Sequence, residues 1–322
     1  MGLFRRSKKQ PLDRIGAFGK LPFSPEFIKS YGGHLFVKQW DQWFQQAYRS
    51  VHYTLGDQCK AYFQTMPDYQ FLHYNGPNQL PYLGSVFNCQ DAGGRRYPFV
   101  IVREVKTALA YDFAAALPLF YDAFLAYSEC WIQNDSHNLS MKQLHQAIQS
   151  MLHYSYPLKK SSILPYTLEQ LRSLTIEDVV ASDQMEAIWD WQQYNQQWLR
   201  ECRQILHHPH GQVIALPIVN TNSLRIMVVF YLQLLHESVN LNRLTWQLYW
   251  QWGSSEYAPQ CYLSLRRLQP SEWQVFIDPD YQLSNMYNQT FNNSHTLSQP
   301  SSAVLKPDTD LLTAIEHLIN TI

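Results

Sequence analysis

The chain has 322 residues and a formal net charge of −1, with 46% hydrophobic and 15% aromatic residues. A near-neutral charge argues against a nucleic-acid partner, because nucleic-acid-binding proteins normally carry a strongly basic surface. A chain of this length and apolar content can bury a large core, in one domain or in two.

The cysteines and the apolar segments indicate the compartment. The five cysteines are scattered, odd in number and never arranged as Cys-x-x-Cys, a pattern typical of thiols in a reducing compartment. No apolar run follows the basic residues near the start, so no signal peptide is expected. The most apolar segment, 213–235, is interrupted by Asn220, Asn222 and Arg225, which argues against a membrane-spanning helix. The expected location is the cytoplasm.

The first elements in chain order are a strand and a helix pair. Residues 14–21 are predicted to form the first strand, and the Ser-Pro-Glu sequence at 24–26 is typical of a helix start. Apolar residues recur every three or four positions over 35–51 and predict a longer helix. Trp40 and Trp43 belong to its aromatic stripe, which we expect to support the fold.

Three strands are predicted next, at 69–74, 82–88 and 97–105, because these segments are rich in β-branched and aromatic residues. The links between them are short and rich in turn residues. Short links favour an antiparallel meander.

A charged glycine turn, Asp91–Arg96, precedes the third strand. Its glycines permit a tight turn, and Asp91 and Arg95 flank it closely enough to pair across it. Pro98 has no N–H for a strand ladder, so it is expected at the start of the strand or beside an edge. Two interpretations stay open: a structural turn held by an Asp–Arg contact, and an exposed recognition loop.

Helices and a hairpin are predicted in the second half. Helices are expected to open at Pro118, at Ser140 and near Ser182. Residues 213–219 and 224–231 are predicted to form a hairpin across an Asn-Thr-Asn turn.

Further along, residues 244–252 alternate between apolar and polar types, which predicts a strand buried on one face. Residues 261–268 are its expected neighbour, with a short helix from Ser271. The Asn, Gln and Ser-rich segment 282–302 is predicted to be a flexible linker. The last helix is amphipathic and either docks on the body or meets a partner.

These elements indicate an α/β fold: a mixed, largely antiparallel sheet sandwiched between helices in αβα layers. The predicted organisation is a basic tail (1–13), an N-terminal domain (14–135), a divergent second half packed on the same body (136–281), the linker (282–302) and the terminal helix (303–322).

No catalytic, cofactor or metal site is expected from the motifs. The segment Gly16–Lys20 lacks the spacing of a phosphate-binding loop, and Leu21 stands where the metal-binding hydroxyl is needed. The His-His-Pro-His sequence at 207–210 follows a predicted helix end, where histidines interact well with the helix dipole. One alternative stays open: a metal- or phosphate-binding enzyme or ligand protein that uses the Asp91–Arg96 turn with these histidines.

Three motifs occur in order along the first third of the chain. They are Gly-x-x-Gly-Lys-Leu-Pro at Gly16 to Pro22, Trp-Asp-x-Trp at Trp40 to Trp43, and Asp-x-x-Gly-Arg-x-x-Pro on Asp91, Gly94, Arg95 and Pro98. Together they resemble the TagF family of type VI secretion-associated proteins. The resemblance covers residues 14–105 and extends more loosely to 246–252 and 268–277. The sequence departs from the family pattern at 25–27, where Pro-Glu-Phe replaces Gly-Asp-Phe.

The resemblance implies a cytoplasmic, non-enzymatic regulator that holds the type VI secretion machine inactive after translation. TagF-like proteins do so by binding a forkhead-associated (Fha) scaffold protein, so type VI secretion components are the expected partners. Lys20, Asp91, Arg95 and Arg96 are candidate surface residues. The full set of candidate interaction or motif residues is Gly19, Lys20, Leu21, Pro22, Asp91, Gly94, Arg95, Arg96 and Pro98.

Overall fold

The computed structural model describes residues 13–31, 34–77, 79–106, 114–135, 139–154, 162–180, 185–206, 213–216, 224–251, 260–277 and 305–321. The predicted basic tail, apart from Asp13, lies outside these ranges. So do the linker at 282–302, the histidines at 207–210 and the turn at 220–222.

Within the described ranges, eight strands form one sheet in the order β2-β1-β5-β4-β3-β7-β8-β6, and every neighbouring pair is antiparallel. The predicted meander is confirmed, since β3, β4 and β5 are neighbours in this order. The strands are β1 (Arg14–Gly19), β2 (Ile28–Ser30), β3 (Tyr69–Tyr74), β4 (Tyr82–Phe87), β5 (Phe99–Glu104), β6 (Val213–Leu216), β7 (Trp246–Gln251) and β8 (Gln260–Ser264).

Strands from both halves of the chain share this sheet. β3 pairs with β7, in a register that sets Gln70 opposite Trp250 and Tyr74 opposite Trp246. The aromatic side chains of Tyr74 and Trp246 stack with ring centroids 5.7 Å apart. Such cross-strand aromatic pairs stabilise a sheet, so this contact strengthens the join between the two halves.

Helices cover both faces of the sheet, which confirms the predicted α/β sandwich. Alternate residues of β5 face two separate buried clusters: Phe99 and Ile101 one, Val100 and Val102 the other. Helices α1 and α2 pack in the second cluster, and α3 to α10 in the first. The helices are α1 (Leu35–Leu55), α2 (Cys59–Thr65), α3 (Leu117–Phe120), α4 (Asp122–Asp135), α5 (Met141–Ser150), α6 (Ile163–Arg172), α7 (Ile176–Val180), α8 (Met185–Ile205), α9 (Leu224–Val239) and α10 (Leu311–Asn320).

The predicted helix start at 24–26 is wrong, and the chain turns there into the edge strand β2. The Ser24 hydroxyl accepts a hydrogen bond from the Glu26 backbone N–H at 3.1 Å, within a turn. The same residue types serve helix caps and Ser turns. Pairing of Ile28 to Ser30 with β1 decides between them.

The predicted hairpin across 220–222 is also wrong, because its second arm is the helix α9. Every residue from Met227 to Leu232 is buried, as are Leu234 and Leu235. Six consecutive buried residues leave this stretch without a polar face, so its apolar run lacks the helical period and resembles a strand.

The strand β7 is buried on both faces, rather than on one. Its polar residues Gln247 and Gln251 are only 3% and 1% exposed. Gln247 accepts a hydrogen bond from the Leu268 backbone N–H at 3.0 Å, and Gln251 donates one to Gln260 at 2.7 Å. Buried amides are tolerated where such partners exist.

The terminal helix α10 packs on the body. Asp310 caps it by accepting the Thr313 backbone N–H at 3.0 Å, and its Leu311, Ile315 and Leu318 are buried. The described part of the chain holds no helix long and apolar enough to cross a bilayer.

Gly19, at the end of β1, lies against the start of β5. Its φ is +130°, and a Cβ placed there would lie 2.1 Å from the Pro98 carbonyl oxygen and 2.7 Å from the Phe99 Cα. Gly94 has φ of +75°, but apart from its two chain neighbours no described residue has an atom within 4 Å of its Cβ position.

We therefore expect Gly19→Ala to lower the free energy of unfolding by about 3 kcal/mol or more, because both strain and a backbone clash arise. Gly94→Ala, the matched control, meets only the left-handed penalty of about 1–2 kcal/mol. Urea denaturation of both variants measures the difference. Equal losses would contradict the close approach of β1 to β5.

Candidate functional site

The carboxylate of Asp91 is the centre of the charged turn. Its Oδ1 accepts the backbone N–H groups of Gly93 and Arg95, both at 2.9 Å. Its Oδ2 accepts the Arg95 Nε at 2.8 Å and the Lys20 ammonium. The Asp91 side chain has no exposed surface, so these four donors replace its hydration.

The contact with Lys20 joins two distant parts of the chain. Lys20 follows β1, and Asp91 lies in the turn before β5, the strand that pairs with β1. The hydrogen bond from Lys20 is the main reason that the pKa of Asp91 lies well below its usual range. Desolvation acts in the opposite direction, and the contributions of Lys20 and Arg95 together outweigh it. Asp91 is therefore ionised at neutral pH.

Arg95 is anchored by two of its guanidinium nitrogens and is still largely exposed. Its Nε bonds to Asp91, and its Nη2 donates to the Pro25 carbonyl oxygen at 2.5 Å. The Ala92 backbone N–H also donates to the Ser24 carbonyl oxygen at 3.2 Å, which fixes the turn against the segment before β2. The Arg95 side chain is nevertheless 65% exposed. The turn therefore presents a positioned guanidinium to solvent.

Arg96 connects the turn to the helices α1 and α2. Its Nη1 donates to Asn88 Oδ1 at 3.3 Å and to the Phe63 carbonyl oxygen at 3.4 Å. Its own carbonyl oxygen accepts the Tyr48 hydroxyl at 3.2 Å. Arg96 is thus half-buried between the turn and α2.

A groove of about 480 Å³ lies between the turn, the end of α1 and α2. We call it the Arg95 groove. Lys60, Arg95 and Arg96 line it together with His52, and Asp57 is its one acidic side chain among the described residues. Its charge is therefore positive at neutral pH.

Of the two tryptophans of the second motif, Trp40 is buried and Trp43 is half-buried, and both pack in the cluster on the α1 side of the sheet. Trp40 is 7% exposed and stacks on Phe71 with ring centroids 4.6 Å apart. The Trp43 indole N–H donates to the Leu268 carbonyl oxygen at 3.2 Å. Asp41, between them, is buried and pairs with Lys29 at 2.6 Å. This motif fixes α1 on the sheet.

The structure brings most of the remaining candidate residues together around the turn. Of the four residues expected at the surface, Arg95 is exposed, Lys20 and Arg96 are half-buried, and Asp91 is buried. Leu21 and Pro98 are buried, and Pro22 is half-buried. The first interpretation of the turn was a structural turn held by an Asp–Arg contact, and the structure contains this contact between Asp91 and Arg95.

Sequence reasoning missed the other walls of the Arg95 groove. Tyr48, His52 and Gly56 repeat every fourth residue, and this spacing is a signal for one face of a helix. The Pro25 carbonyl that orients Arg95 has no sequence signal, because any residue supplies a carbonyl. No group of three or more metal-ligating side chains occurs among the residues that the structure describes.

Comparison with known families matches residues 16–151 to the TagF N-terminal domain, described as type VI secretion system-associated. This match confirms the resemblance drawn from the three motifs for that part of the chain. Among solved structures, the chain is similar to PA0076 from Pseudomonas aeruginosa PAO1, at 13% identity and a TM-score of 0.47. The alignment covers 82% of this chain and 94% of that chain. Comparison with curated proteins gave no match.

The pH dependence of thermal stability should show that the ionised Asp91 carboxylate stabilises the fold. Because its pKa is lowered by folding, it adds stability above the unfolded-chain value of about 3.9, and this is lost as pH falls toward the folded-state pKa. Asp91→Asn is expected to lower the thermal midpoint at pH 7, and the gap from the wild type should narrow below about pH 4. Thermal melts between pH 3 and 7 measure both, with the exposed Asp308→Asn as a control that leaves the midpoint unchanged. A gap independent of pH would contradict the assignment.

Proposed function

We propose that this chain, which carries a type VI secretion-associated domain at residues 16–151, is a non-enzymatic repressor of secretion-machine assembly. It acts in the cytoplasm by binding a protein partner. The expected partner is a type VI secretion component, and a forkhead-associated (Fha) scaffold protein is the first candidate.

The main observation behind the proposal is that the Arg95 side chain is both anchored and exposed. Its guanidinium is anchored through Nε and Nη2, while 65% of the side chain is exposed. An anchored side chain loses little conformational entropy when it binds, so it makes a favourable contact point. Arginine is also among the residue types that contribute most to protein interfaces, because its planar fork can bind a carboxylate through two hydrogen bonds.

The charge of the Arg95 groove supports an acidic partner surface. Lys60 is exposed on α2 and has no ion pair within the described ranges. Together with Arg95 and Arg96 it gives the groove three cations against one acid, Asp57. Complementary charge accelerates encounter and selects against basic partners.

The alternative, a metal or phosphate site in the Asp91–Arg96 turn, receives less support. Both carboxylate oxygens of Asp91 already accept two hydrogen bonds each. A metal ion bound there would displace Lys20 or Arg95 from the carboxylate. Elemental analysis and a nucleotide-binding screen of purified protein test this alternative, and a stoichiometric metal or nucleotide would favour it.

Charge reversal in the Arg95 groove should weaken partner binding. Arg95→Glu and Lys60→Glu are each expected to reduce co-purification with the Fha scaffold protein of the same secretion cluster by about tenfold or more, the effect of losing one strong interface contact. The two variants complement each other, because Lys60 makes no contact with Asp91 and its replacement leaves the turn intact. Arg172→Glu, an exposed arginine on α6 at the other face of the sheet, is the matched control and should bind as the wild type does.

Secretion supplies the second readout. Overexpressed wild-type protein is expected to block type VI secretion, whereas the two overexpressed groove variants are expected to leave secretion active. The thermal midpoints of the variants are measured to confirm that they fold. Wild-type protein that binds no secretion component and leaves secretion unchanged would overturn the proposal. Groove variants that bind as well as Arg172→Glu would move the interface elsewhere.

A further inference from the structure

A second cavity, of about 280 Å³, lies on the α1 side of the sheet. Its walls come from α1, from the end of β3, from the starts of β4 and β7 and from the segment after β8. The lining that matters for binding consists of Trp40, Trp43, His73, Tyr82, Gln247 and Arg267. We call it the His73 cavity. It shares no lining residue with the Arg95 groove.

His73 is the unexplained group in this cavity. The residue is 5% exposed, and its Nε2 is buried without a hydrogen-bond partner within the described residues. Its neighbours are aromatic: the ring centroids of Trp40 and Tyr249 lie 4.6 and 5.0 Å away. A buried polar atom without a partner is costly and rare in folded proteins. An imidazole among aromatic rings that lines a cavity has the chemistry of a binding group.

The charges around the cavity restrict what it could bind. Arg267 is exposed and makes no ion pair in the part of the chain that the structure describes, and none of the residues lining the cavity is acidic. Burial, with a smaller effect of the Arg267 charge, holds the pKa of His73 well below its ordinary value. The imidazole is therefore neutral and offers one N–H donor. The amides of Gln39 and Gln79 supply further donors at the exposed wall.

We propose that the His73 cavity binds one carboxylate group carried on an aromatic or aliphatic body. Arg267 pairs with the carboxylate, the His73 ring donates to it, and Trp40, Trp43 and Tyr82 pack against the apolar body. A phosphate monoester fits less well, because its charge of about −1.5 to −2 exceeds that of the one arginine. The carboxylate could belong to a free small acid or to the end of a peptide.

The test uses the full chain and four probes: benzoate, its neutral analogue benzamide, an N-acetylated Ala-Phe dipeptide with a free carboxylate, and the same dipeptide as a carboxamide. Binding is followed by tryptophan fluorescence, since Trp40 and Trp43 line the cavity, and by the ring-nitrogen NMR signals of His73. We expect at least one acid to bind and to shift the His73 signals. Its neutral analogue should bind with an affinity at least about tenfold lower. Preference for benzoate indicates a free acid, and preference for the dipeptide indicates a peptide terminus.

Two variants separate binding from folding. Arg267→Gln removes an exposed charge and should weaken the acid about tenfold, whereas Arg172→Gln should not. His73→Phe keeps a ring among the aromatic neighbours and removes the unpartnered nitrogen, so the thermal midpoint should hold or rise while acid binding falls about tenfold. Equal affinity for acids and amides, no binding by the wild type at millimolar concentrations, or unchanged binding by Arg267→Gln would each overturn the proposal. Because the groove variants of the proposed function leave this cavity untouched, the two proposals fail separately.

Discussion

The buried carboxylate of Asp91 determines the geometry of the whole site. β1 and β5 run antiparallel, so the residue after β1 and the turn before β5 lie at the same end of this strand pair. Lys20 and Asp91 form their ion pair there. The close approach of Gly19 to Pro98 brings the two segments near enough for that contact. An ionised carboxylate without these donors would be unstable at a buried position. The turn is therefore held by the pairing of the strands, and the direction of Arg95 follows from the turn.

The motif residues consequently divide into two groups with different physical roles. The first group makes its contacts within the chain and consists of Gly19, Lys20, Asp91 and Pro98. The second group is Arg95, which donates hydrogen bonds from two of its nitrogens in the same network while most of its side chain stays exposed. A structural turn and a recognition loop are therefore compatible in one motif, because the bonds that fix the backbone also position the exposed cation.

Local signals explain what the sequence could predict. The strands at 69–74 and 82–87, the long helix with Trp40 and Trp43, and the Asp91–Arg95 contact all depend on patterns within a few residues. The first half of α9 has no such pattern, because the six consecutive buried residues from Met227 to Leu232 show no helical period. The His73 cavity could not be predicted either, since its walls come from five elements, and its lining residues lie as far apart in the chain as Gln39 and Arg267. Contacts over such separations are set by the sheet order, which periodicity does not reveal.

The helix α1 relates the two candidate sites. Trp40 and Trp43, in its first half, line the His73 cavity, and His52, near its end, lines the Arg95 groove. At about 1.5 Å of rise per residue, Trp40 and His52 are separated by about 18 Å along the helix. Sites this far apart, with no shared lining residue, normally contribute independently to stability and binding. A departure from additivity in a double variant of Arg95 and Arg267 would therefore indicate that the packing of α1 on the sheet transmits a change from one site to the other.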